Sequence, residues 1–428
     1  MQRGVIAVLT WVMAFLYSAP AGACAGDCGV DGAVTVDELI IGVNIALGAA
    51  RLERCMPIDA NRDATVTINE LVGAVNAALG GCPPPTARLI ALSRDGRMAS
   101  LDVAAPWTVR ASAALGAAIG SVRCRAGRCL VVHPSPADSI SVVSAADLSQ
   151  GEPIALERGS DPRDVAFVGD DAAVVGLYNR AELLLIDLRQ RKATAINLTP
   201  LADADGLPEV LKLASCGRQV FAQLRRVDHD SQAPSPLGPA LAAIDLDRPA
   251  GDQLLDADPE LPGPQGIALA GPPNFDMPVD CAGRILWIAE PEPLMQGGGG
   301  YEVVELDALV ADDLPIDTGA EVGGFEVVGP GEYWLITHTE FGPGPSSHLN
   351  FVGDTTPPTY NTFANEHVND LALDRVENLL FFPDPCTPGP TNPSCNPGIH
   401  VFRGDSGEPL AGKGVDVGFP PIEVTVSR

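Results

Sequence analysis

The stretch DPRDVAFVGDDAAVVGLYNRAELLLIDL, residues 161–188, contains the pattern that decides the fold. Three runs of mostly apolar residues follow one another in it, at 165–168, 173–177 and 183–188. Turn-forming Gly, Asp and Asn residues separate the runs, and each run has the length of a short β-strand. The stretch therefore predicts strands that reverse direction at tight turns and pair with their neighbours along the chain.

The first of these runs recurs along the rest of the chain at nearly regular intervals. The copies are Ser121-Val122-Arg123, Ala166-Phe167-Val168, Lys212-Leu213-Ala214, Ala268-Leu269-Ala270, Glu326-Val327-Val328, Ala372-Leu373-Asp374 and Thr425-Val426-Ser427. Their central residues are 45, 46, 56, 58, 46 and 53 positions apart. A period near 50 residues that is built of short strands is typical of a β-propeller, in which each repeat forms one blade. We therefore predict a mainly β fold for residues 88–428, with the recurring run as the innermost strand of each blade.

The two ends of this region predict the number of blades. The first unit, residues 89–103, has no inner strand before it, and the last segment, residues 421–426, is a single strand. If the C-terminal strand completes the first blade, the ring closes and neither piece leaves an unpaired edge. This arrangement predicts seven blades, with six or eight as the alternatives. Residues 161–188 also resemble a blade of the YVTN or NHL-type propellers, a resemblance that implies the fold and no particular activity.

Residues 24–82 contain a duplication. The segment 27–39 aligns with the segment 59–71, 32 positions later, and each begins with a twelve-residue loop that has oxygen-bearing residues at alternate positions and Glu at the twelfth. A hard cation that needs six or more oxygen ligands requires this spacing. We predict Ca²⁺ as the cofactor, bound in part through the carbonyl oxygens of Ala33 and Thr65. The predicted side-chain ligands are Asp27, Asp31, Glu38, Asp59, Asn61, Asp63 and Glu70.

Apolar residues at helical spacing follow each loop and predict one helix per repeat. A duplicated loop–helix unit resembles the EF-hand superfamily, and in particular dockerin modules, which implies a small α-helical calcium-binding domain. Gly29 removes a side-chain ligand from the first loop, and Ala64 replaces the usual Gly of the second. Glu38 and Glu70 close the loops where dockerins usually have Asp. We therefore expect weak, extracellular-grade calcium affinity. The alternative is a disulfide-held helical pair that has lost the ion.

Residues 1–23 have the features of a secretory signal peptide. Arg3 supplies the positive charge, an apolar run extends from Val5 to Tyr17, and small residues at 21–23 form a cleavage site. No other segment approaches the roughly 20 apolar residues of a transmembrane helix. We therefore predict a secreted, cell-surface or periplasmic bacterial protein. Lipid attachment at Cys24 is an alternative, although Ala21 stands where bacterial lipoproteins usually have Leu.

The sequence has ten cysteines, and an even number of cysteines after an export signal predicts disulfide bonds. Two of the predicted pairs are close in sequence, and the third joins matching turns of neighbouring blades. The predicted bridges are Cys124–Cys129, Cys386–Cys395 and Cys216–Cys281. Three pairings remain open for the other four cysteines, Cys24, Cys28, Cys55 and Cys82. Residues 83–87 are interpreted as a Pro-rich linker between the two domains.

The sequence has 55 acidic and 27 basic residues, and its formal charge of −28 excludes a general nucleic-acid-binding protein. The loops between second and third strands are long in blades four to seven, at 226–239, 290–300, 339–347 and 383–397. All of them emerge on one face, and insertions gathered on one face typically mark a binding side. A protein or glycan is the ligand that we expect there, and neutral drift in tolerant loops is the alternative.

These features predict an exported calcium-binding protein whose propeller is a binding or scaffold domain for a ligand that the sequence does not identify. One alternative is a dockerin-type module that attaches the propeller to a cohesin-like partner. Another is a propeller hydrolase, lactonase-like or acting on glycans. No catalytic set is identified. Gly404-Asp405-Ser406-Gly407 resembles the nucleophile segment of trypsin-like proteases, but no His motif accompanies it, and we interpret it as a turn.

Overall fold

The computed structural model describes residues 25–28, 33–59, 65–81, 87–271, 277–290, 300–312, 316–317, 321–329, 332–339, 346–352, 360–361, 368, 370–387 and 395–428. The predicted signal peptide, most of the predicted linker and the centres of both predicted calcium loops lie outside these residues. No helix in the described ranges is long and apolar enough to cross a membrane.

Two helices form the N-terminal part of the described chain, and each begins at a capping box. α1 spans Val36–Ala46 and α2 spans Ile68–Gly80, with short 3-10 helices at Leu52–Arg54 and Met56–Ile58 between them. The hydroxyl groups of Thr35 and Thr67 each accept a hydrogen bond from the N–H group of the Glu three residues later. A capping box satisfies backbone groups that the first helical turn leaves open. The predicted helix after each loop is confirmed.

The rest of the described chain forms seven antiparallel sheets, the blades of a propeller. Blade 1 contains β1 (Arg88–Leu92), β2 (Arg97–Asp102) and β3 (Val109–Ala114), and blade 2 contains β4 (Ser121–Arg125), β5 (Arg128–His133), β6 (Ser139–Ser144) and β7 (Ile154–Ala155). Blade 3 contains β8 (Pro162–Phe167), β9 (Ala172–Leu177), β10 (Glu182–Asp187) and β11 (Lys192–Asn197). Blade 4 contains β12 (Val210–Cys216), β13 (Gln219–Leu224), β14 (Ala240–Asp245) and β15 (Ile267–Ala268). Blade 5 contains β16 (Val279–Asp280), β17 (Ile285–Glu290), β18 (Gly300–Glu305), β19 (Val310–Ala311) and β20 (Ile316–Asp317). Blade 6 contains β21 (Glu321–Gly329), β22 (Glu332–Thr339), β23 (Ser346–Val352) and β24 (Tyr360–Asn361). Blade 7 contains β25 (Ala372–Asp374), β26 (Leu379–Asp384) and β27 (Gly398–Arg403). A 3-10 helix, Thr199–Leu201, lies between blades 3 and 4.

The last strand, β28 (Glu423–Ser427), closes the ring. It pairs antiparallel with β1, with Arg88 opposite Ser427 and Leu92 opposite Glu423. The sheet order β28-β1-β2-β3 makes β28 the innermost strand of blade 1, and it contacts the innermost strands of blades 2 and 7. The pairing removes the free edge that β1 would otherwise present. The predicted seven-bladed propeller, closed by the C-terminal strand, is confirmed.

Six of the seven recurring runs coincide with innermost strands, and the run at 268–270 does not. Ala268 lies in β15, which pairs with β14 in blade 4 at the end of that sheet away from the axis. The innermost strand of blade 5 is β16 instead, so this prediction is wrong. The 15-residue loop between β13 and β14 lengthens blade 4, which moves the next inner strand beyond the expected interval.

The hydrophobic core is divided among the contacts between neighbouring blades. Between blades 3 and 4, for example, Leu183 and Ile196 pack with Leu213 and Ile244, all of them buried. Comparable clusters lie at the other six contacts around the ring. Burial of apolar surface stabilises by roughly 25 cal/mol per Å². Because each sheet takes part in two clusters, the ring is stabilised as one unit.

Carboxylates also join the innermost strands of neighbouring blades. Asp164 Oδ2 accepts a hydrogen bond from the N–H group of Leu213, at 2.9 Å, which links blade 3 to blade 4. Asp370 Oδ2 accepts from the N–H group of Val424, at 2.6 Å, and links blade 7 to blade 1. Glu423 Oε1 in turn accepts a hydrogen bond from the N–H group of Val122, at 3.1 Å, in the innermost strand of blade 2. These carboxylates satisfy backbone donors that face the channel, where no sheet hydrogen bond is available.

Four disulfides join described cysteines. The three predicted bridges are confirmed, namely Cys124–Cys129, Cys216–Cys281 and Cys386–Cys395. The fourth, Cys28–Cys55, selects one of the pairings that the sequence left open and ties the first loop to the segment before the second. Cys24 and Cys82 lie outside the described residues. Disulfides in this number are typical of extracellular or periplasmic proteins.

Candidate functional site

Both predicted calcium loops end in buried carboxylates. Asp27 and Asp59, at the first positions, are each 5% exposed, and Glu38 and Glu70, at the twelfth positions, are 9% and 8% exposed. Glu38 Oε2 accepts hydrogen bonds from the N–H and hydroxyl groups of Thr35, at 2.7 and 2.9 Å. Glu70 Oε2 makes the same two contacts with its own N-cap residue, each at 2.8 Å. The two loops therefore hold their last acid in the same local geometry.

The packing of the two repeats follows the duplication of the sequence. A Cβ on Gly26 would lie 2.5 Å from the Cβ of Ala74, and a Cβ on Gly42 would lie 2.8 Å from Ile58 Cδ1. Gly26 is equivalent to Ile58, and Gly42 to Ala74, at the repeat distance of 32 residues. The two contacts are thus the same contact made twice with the partners exchanged. This reciprocity is typical of two like units packed around a local twofold axis.

Six of the nine predicted calcium ligands are among the described residues. Asp31, Asn61 and Asp63 lie outside them, so that each loop contributes two described carboxylate ligands. Within the described ranges, no group of three or more His, Cys, Asp and Glu side chains is arranged to hold a metal ion. The donors that are described, carboxylates and the exposed Ala33 and Thr65 with their carbonyl groups, have the oxygen chemistry that Ca²⁺ prefers.

Each helix exposes a line of apolar side chains, which we call the helix stripes. The stripe along α1 consists of Val36, Ile40, Val43 and the C-cap residue Leu47, and the stripe along α2 consists of Ile68, Val72, Val75 and Leu79. These side chains are between 42% and 83% exposed. Every member of one stripe is 32 positions from its equivalent in the other. The apolar periodicity predicted the helices correctly, but it did not reveal that this set of residues faces solvent.

The axis of the propeller contains two adjoining cavities of about 320 and 370 Å³. Arg123 lines both, and its Nη2 lies 3.1 Å from Asp164 Oδ2. At the first cavity, Arg375 Nη2 lies 3.8 Å from Glu326 Oε2. Acidic and basic side chains therefore meet as ion pairs along the channel. A space of this size and polarity fits water or a small polar ligand.

The predicted binding face contains one long loop that is described in full, residues 225–239 between β13 and β14. At its base lies Glu209, which is completely buried. Glu209 Oε2 accepts a hydrogen bond from the N–H group of Val227 at 3.3 Å, and Oε1 lies 3.9 Å from His229 Nδ1. Burial, followed by the negative charges of Asp205 and Asp203, raises the pKa of Glu209 from 4.5 to about 7.

Glu209 was not predicted from the sequence as a functional residue. Its signal was the acidic segment Asp203-Ala204-Asp205 just before it, in a stretch that leads into an inner strand. In a chain with 55 acidic residues, such a segment is not distinctive. Only the tertiary structure shows that this carboxylate is buried beneath a loop, whereas Asp203 is half-buried and Asp205 is exposed.

Two His residues at strand ends on the same face hold strands together. His133 Nε2 lies 2.9 Å from Ser141 Oγ, and its Nδ1 lies 3.1 Å from the carbonyl oxygen of Ala118. His338 Nδ1 lies 3.1 Å from Ser347 Oγ, in the equivalent place in blade 6. Both His side chains are buried, and burial lowers the pKa of His133. These contacts give both residues a role in packing.

The segment Gly404-Asp405-Ser406-Gly407 forms the turn that follows β27, as interpreted from the sequence. The Gly404 N–H group donates to the carbonyl oxygen of Asn378 at 3.0 Å. A Cβ on Gly404 would lie 2.6 Å from Asn378 Oδ1, so close packing accounts for the glycine.

No protein-family profile and no curated protein matches the sequence. Solved structures with a similar chain path include the computationally designed Ika8 protein, at 13% identity over 76% of this chain and 83% of that chain, with a TM-score of 0.43. AztD of Citrobacter koseri is 11% identical over 79% of this chain and 97% of that chain, with a TM-score of 0.47. The dihydro-heme d1 dehydrogenase NirN in complex with DHE is 14% identical over 80% of this chain and 75% of that chain, with a TM-score of 0.49. Similarities at this level carry no inference about function, and the propeller fold rests on the sheet topology described above.

Proposed function

We propose that this protein is an exported calcium-binding protein in which Ca²⁺ orders the N-terminal helix pair and the propeller acts as a binding or scaffold domain. The observation that carries the proposal is the burial of Asp27, Glu38, Asp59 and Glu70 at the two ends of twelve-residue loops that repeat after 32 positions. A buried carboxylate is costly unless hydrogen bonds or a cation compensate it. Oxygen ligands at this spacing fit a hard divalent cation.

Export is supported by two independent features. The first 23 residues have the charge, apolar run and small-residue site of a signal peptide. Four disulfides join described cysteines, which favours an oxidising compartment such as the periplasm or the cell exterior. Millimolar extracellular calcium also suits loops of the weak affinity that Gly29 and Ala64 imply.

Calcium binding is expected to stabilise the helix pair rather than to act as a sensor. Each loop gathers two or more acidic side chains, which repel one another until a cation arrives. The capping boxes of Thr35 and Thr67 join each loop to the first turn of its helix. Ligand binding in the loop and helix stability are therefore linked by mass action.

The test is a calorimetric titration of the full chain with CaCl₂. Glu70→Gln should remove one of two binding events, and Glu38→Gln should remove the other, because each variant loses the ligand that closes its loop. Asp37→Asn is the matched control: Asp37 is exposed, and the equivalent position of the second repeat is already Asn69. Isotherms that are the same for wild type and both Glu variants would contradict calcium binding in the loops.

A second function, attachment to a partner protein through the helix pair, is favoured by the helix stripes. Exposed apolar patches on soluble domains typically mark interaction sites. Eight of the large apolar side chains that the described chain exposes lie in the two stripes. A dockerin-type role with a cohesin-like partner would place the partner on these stripes.

Attachment is tested with immobilised cohesin modules and the full chain, with and without a calcium chelator. Specific capture should be lost with chelator and should fall at least roughly tenfold on replacing Ile40 and Val72 with Glu, because a charge must then be desolvated. Val376→Glu is the control, since Val376 is an exposed apolar residue of the propeller. Capture that survives both the chelator and the stripe variant argues against the helix stripes as the docking site. The alternative of a hydrolase receives no support from the geometry of the described residues.

A further inference from the structure

The base of the loop 225–239 contains two buried polar atoms that lack hydrogen-bond partners among the described residues. They are Glu209 Oε1 and His229 Nδ1, which lie 3.9 Å apart. Glu209 belongs to the segment that connects blades 3 and 4, and His229 belongs to the loop. A buried polar atom without a partner costs roughly 1–3 kcal/mol. A small rotation of either side chain would bring the two atoms to hydrogen-bond distance.

Two carboxylates and one guanidinium group act directly on the charge of Glu209. Asp203 and Asp205 face it from the connecting segment, and Arg225 faces it from the start of the loop. Other titratable or charged groups of the surrounding elements are His229; Arg226, whose Nε donates to the carbonyl oxygen of Leu201; and Asp228, which accepts from Ser231. Asp230 of the same loop is exposed, and Arg163 lies over the ring of Tyr178, which is beside the His229 ring. An ionised Glu209 is therefore buried near two other carboxylates, and Arg225 is the cation that acts on its charge.

The loop is fastened to the connecting segment at this point. The His229 N–H group donates to Asp205 Oδ2 at 2.7 Å, and the His229 carbonyl oxygen accepts from Gln232 Nε2 at 2.8 Å. Val227 pairs with Pro234 across the base of the loop. His229 is therefore one of the residues that attach the loop to the propeller.

We propose that Glu209 and His229 share a single proton that fastens the loop 225–239 to the blade 3–blade 4 connection, so that the state of this loop is linked to pH. A protonated carboxyl group that donates to Nδ1 satisfies both unpartnered atoms with one hydrogen. When this proton is lost, Glu209 becomes a buried carboxylate beside Asp203 and Asp205. Release of the loop then allows water to hydrate that charge. If this face of the propeller binds a ligand, as proposed, the shared proton would link that binding to pH. The shared proton itself does not require a ligand.

The pKa of Glu209 supports this proposal. Burial raises it to about 7, so the proton is held below neutral pH and lost above it.

The test is hydrogen exchange of the amides in residues 226–239 of the full chain, with wild type compared to Glu209→Gln at each pH. The comparison at equal pH cancels the intrinsic pH dependence of exchange. Gln is uncharged at all pH values and imitates the protonated carboxyl. We expect similar rates at about pH 6, and exchange roughly tenfold faster in wild type at about pH 8.5. Asp230→Asn, an exposed acid of the same loop, should behave as wild type. A ratio of rates that does not change with pH would overturn the proposal.

A second measurement covers the case in which Glu209→Gln does not fold. In the wild-type protein, the side-chain carboxyl carbon resonance of Glu209 should titrate in step with the loop amides, with a common midpoint at about pH 7. A Glu209 titration with no accompanying change in the loop amides would overturn the proposal equally. Neither experiment requires calcium, so a failure here is distinct from a failure of the calcium-binding function.

Discussion

Three carboxylates each accept a hydrogen bond from a backbone N–H group in the innermost strand of the next blade; they belong to Asp164, Asp370 and Glu423. Neighbouring innermost strands belong to separate sheets, so these donors require side-chain acceptors. The acidic excess of the chain is therefore in part structural, because carboxylates are acceptors only. The net negative charge of the chain also repels polyanions.

Glu209→Gln should stabilise the folded chain at alkaline pH. The pKa of Glu209 is about 7 when folded and ordinarily 4.5, so the folded state keeps a proton that the unfolded state releases between these values. Stability attributed to this group is complete below about pH 4.5 and is lost as the pH rises to about 7. At about pH 8 the variant should therefore unfold at a higher urea concentration than wild type, with a free energy of unfolding larger by up to roughly 3 kcal/mol. At about pH 4.5 the two proteins should have the same free energy of unfolding.

The control for this measurement is Asp230→Asn, which removes an exposed charge from the same loop. Its effect on the urea midpoint should be within roughly 0.5 kcal/mol at both pH values. If Glu209→Gln lowers stability equally at acid and alkaline pH, Glu209 is an ordinary ionised acceptor for Val227.

At this scale the sequence was informative about residue types and spacing, and much less about burial. The positions of Glu38 and Glu70 followed from the repeat, and the structure places both at the N3 position of a helix. The exposure of the helix stripes did not follow, because apolar periodicity describes which residues share a side of a helix and not which side is covered. In hindsight the exact equivalence of the two stripes was a signal in the sequence.

The helices are short elements whose ends are well determined. Each starts at a Thr-x-x-Glu capping box, a local signal that needs no tertiary information. The buried side of each helix packs against residues of the other repeat, as the close approach of Gly26 to Ala74 and of Gly42 to Ile58 shows. Helix α2 is therefore expected to respond to a change in its cap and, through its loop, to calcium.

Thr67→Ala should destabilise the start of α2 by about 1 kcal/mol, because the hydroxyl cap is lost and Glu70 loses one of its two contacts with the N-cap residue. Amide exchange in the first turns of α2 should become roughly fivefold faster in the absence of calcium. Thr67→Ser retains the hydroxyl and is the matched control. Equal exchange in the Ala and Ser variants would show that the capping box is not needed.

Among the strands, the prediction failed where a blade departs from the common length. The run Ala268-Leu269-Ala270 has the same composition as true inner strands, but it lies beyond a long loop and pairs with β14. Val279–Asp280, the actual inner strand of blade 5, has only two residues and no distinctive pattern. Short strands of this kind are defined by their neighbours in the ring, which the local sequence does not encode.

The ring is closed by chain ends that are more than 300 residues apart in sequence. Strand β28 pairs with β1, and Arg428 forms an ion pair with Asp374 of blade 7 at 2.6 Å. Each sheet also shares apolar clusters with both neighbours. Stability is therefore a property of the closed ring, and loss of one inner strand should affect all blades.

A chain that ends at Pro421 should lose cooperative thermal unfolding and form soluble aggregates, because the edge of β1 and the side chains of blades 1 and 7 become exposed. Calorimetry and size-exclusion chromatography measure these two effects. A chain that begins at Ala87, and so lacks the helix pair, is the control and should retain the unfolding temperature of the propeller. A monomeric C-terminal truncation with an unchanged unfolding temperature would show that β28 does not close the ring.

Calcium binding by the two N-terminal loops is tested most directly by an anomalous difference map from crystals of the full chain soaked in millimolar CaCl₂. We predict two peaks, one roughly 2.3–2.6 Å from carboxylate oxygens of Asp59 and Glu70, the other at the same distance from those of Asp27 and Glu38. Ordered water without an anomalous peak in either loop would contradict calcium binding, and with it the proposed role of the helix pair.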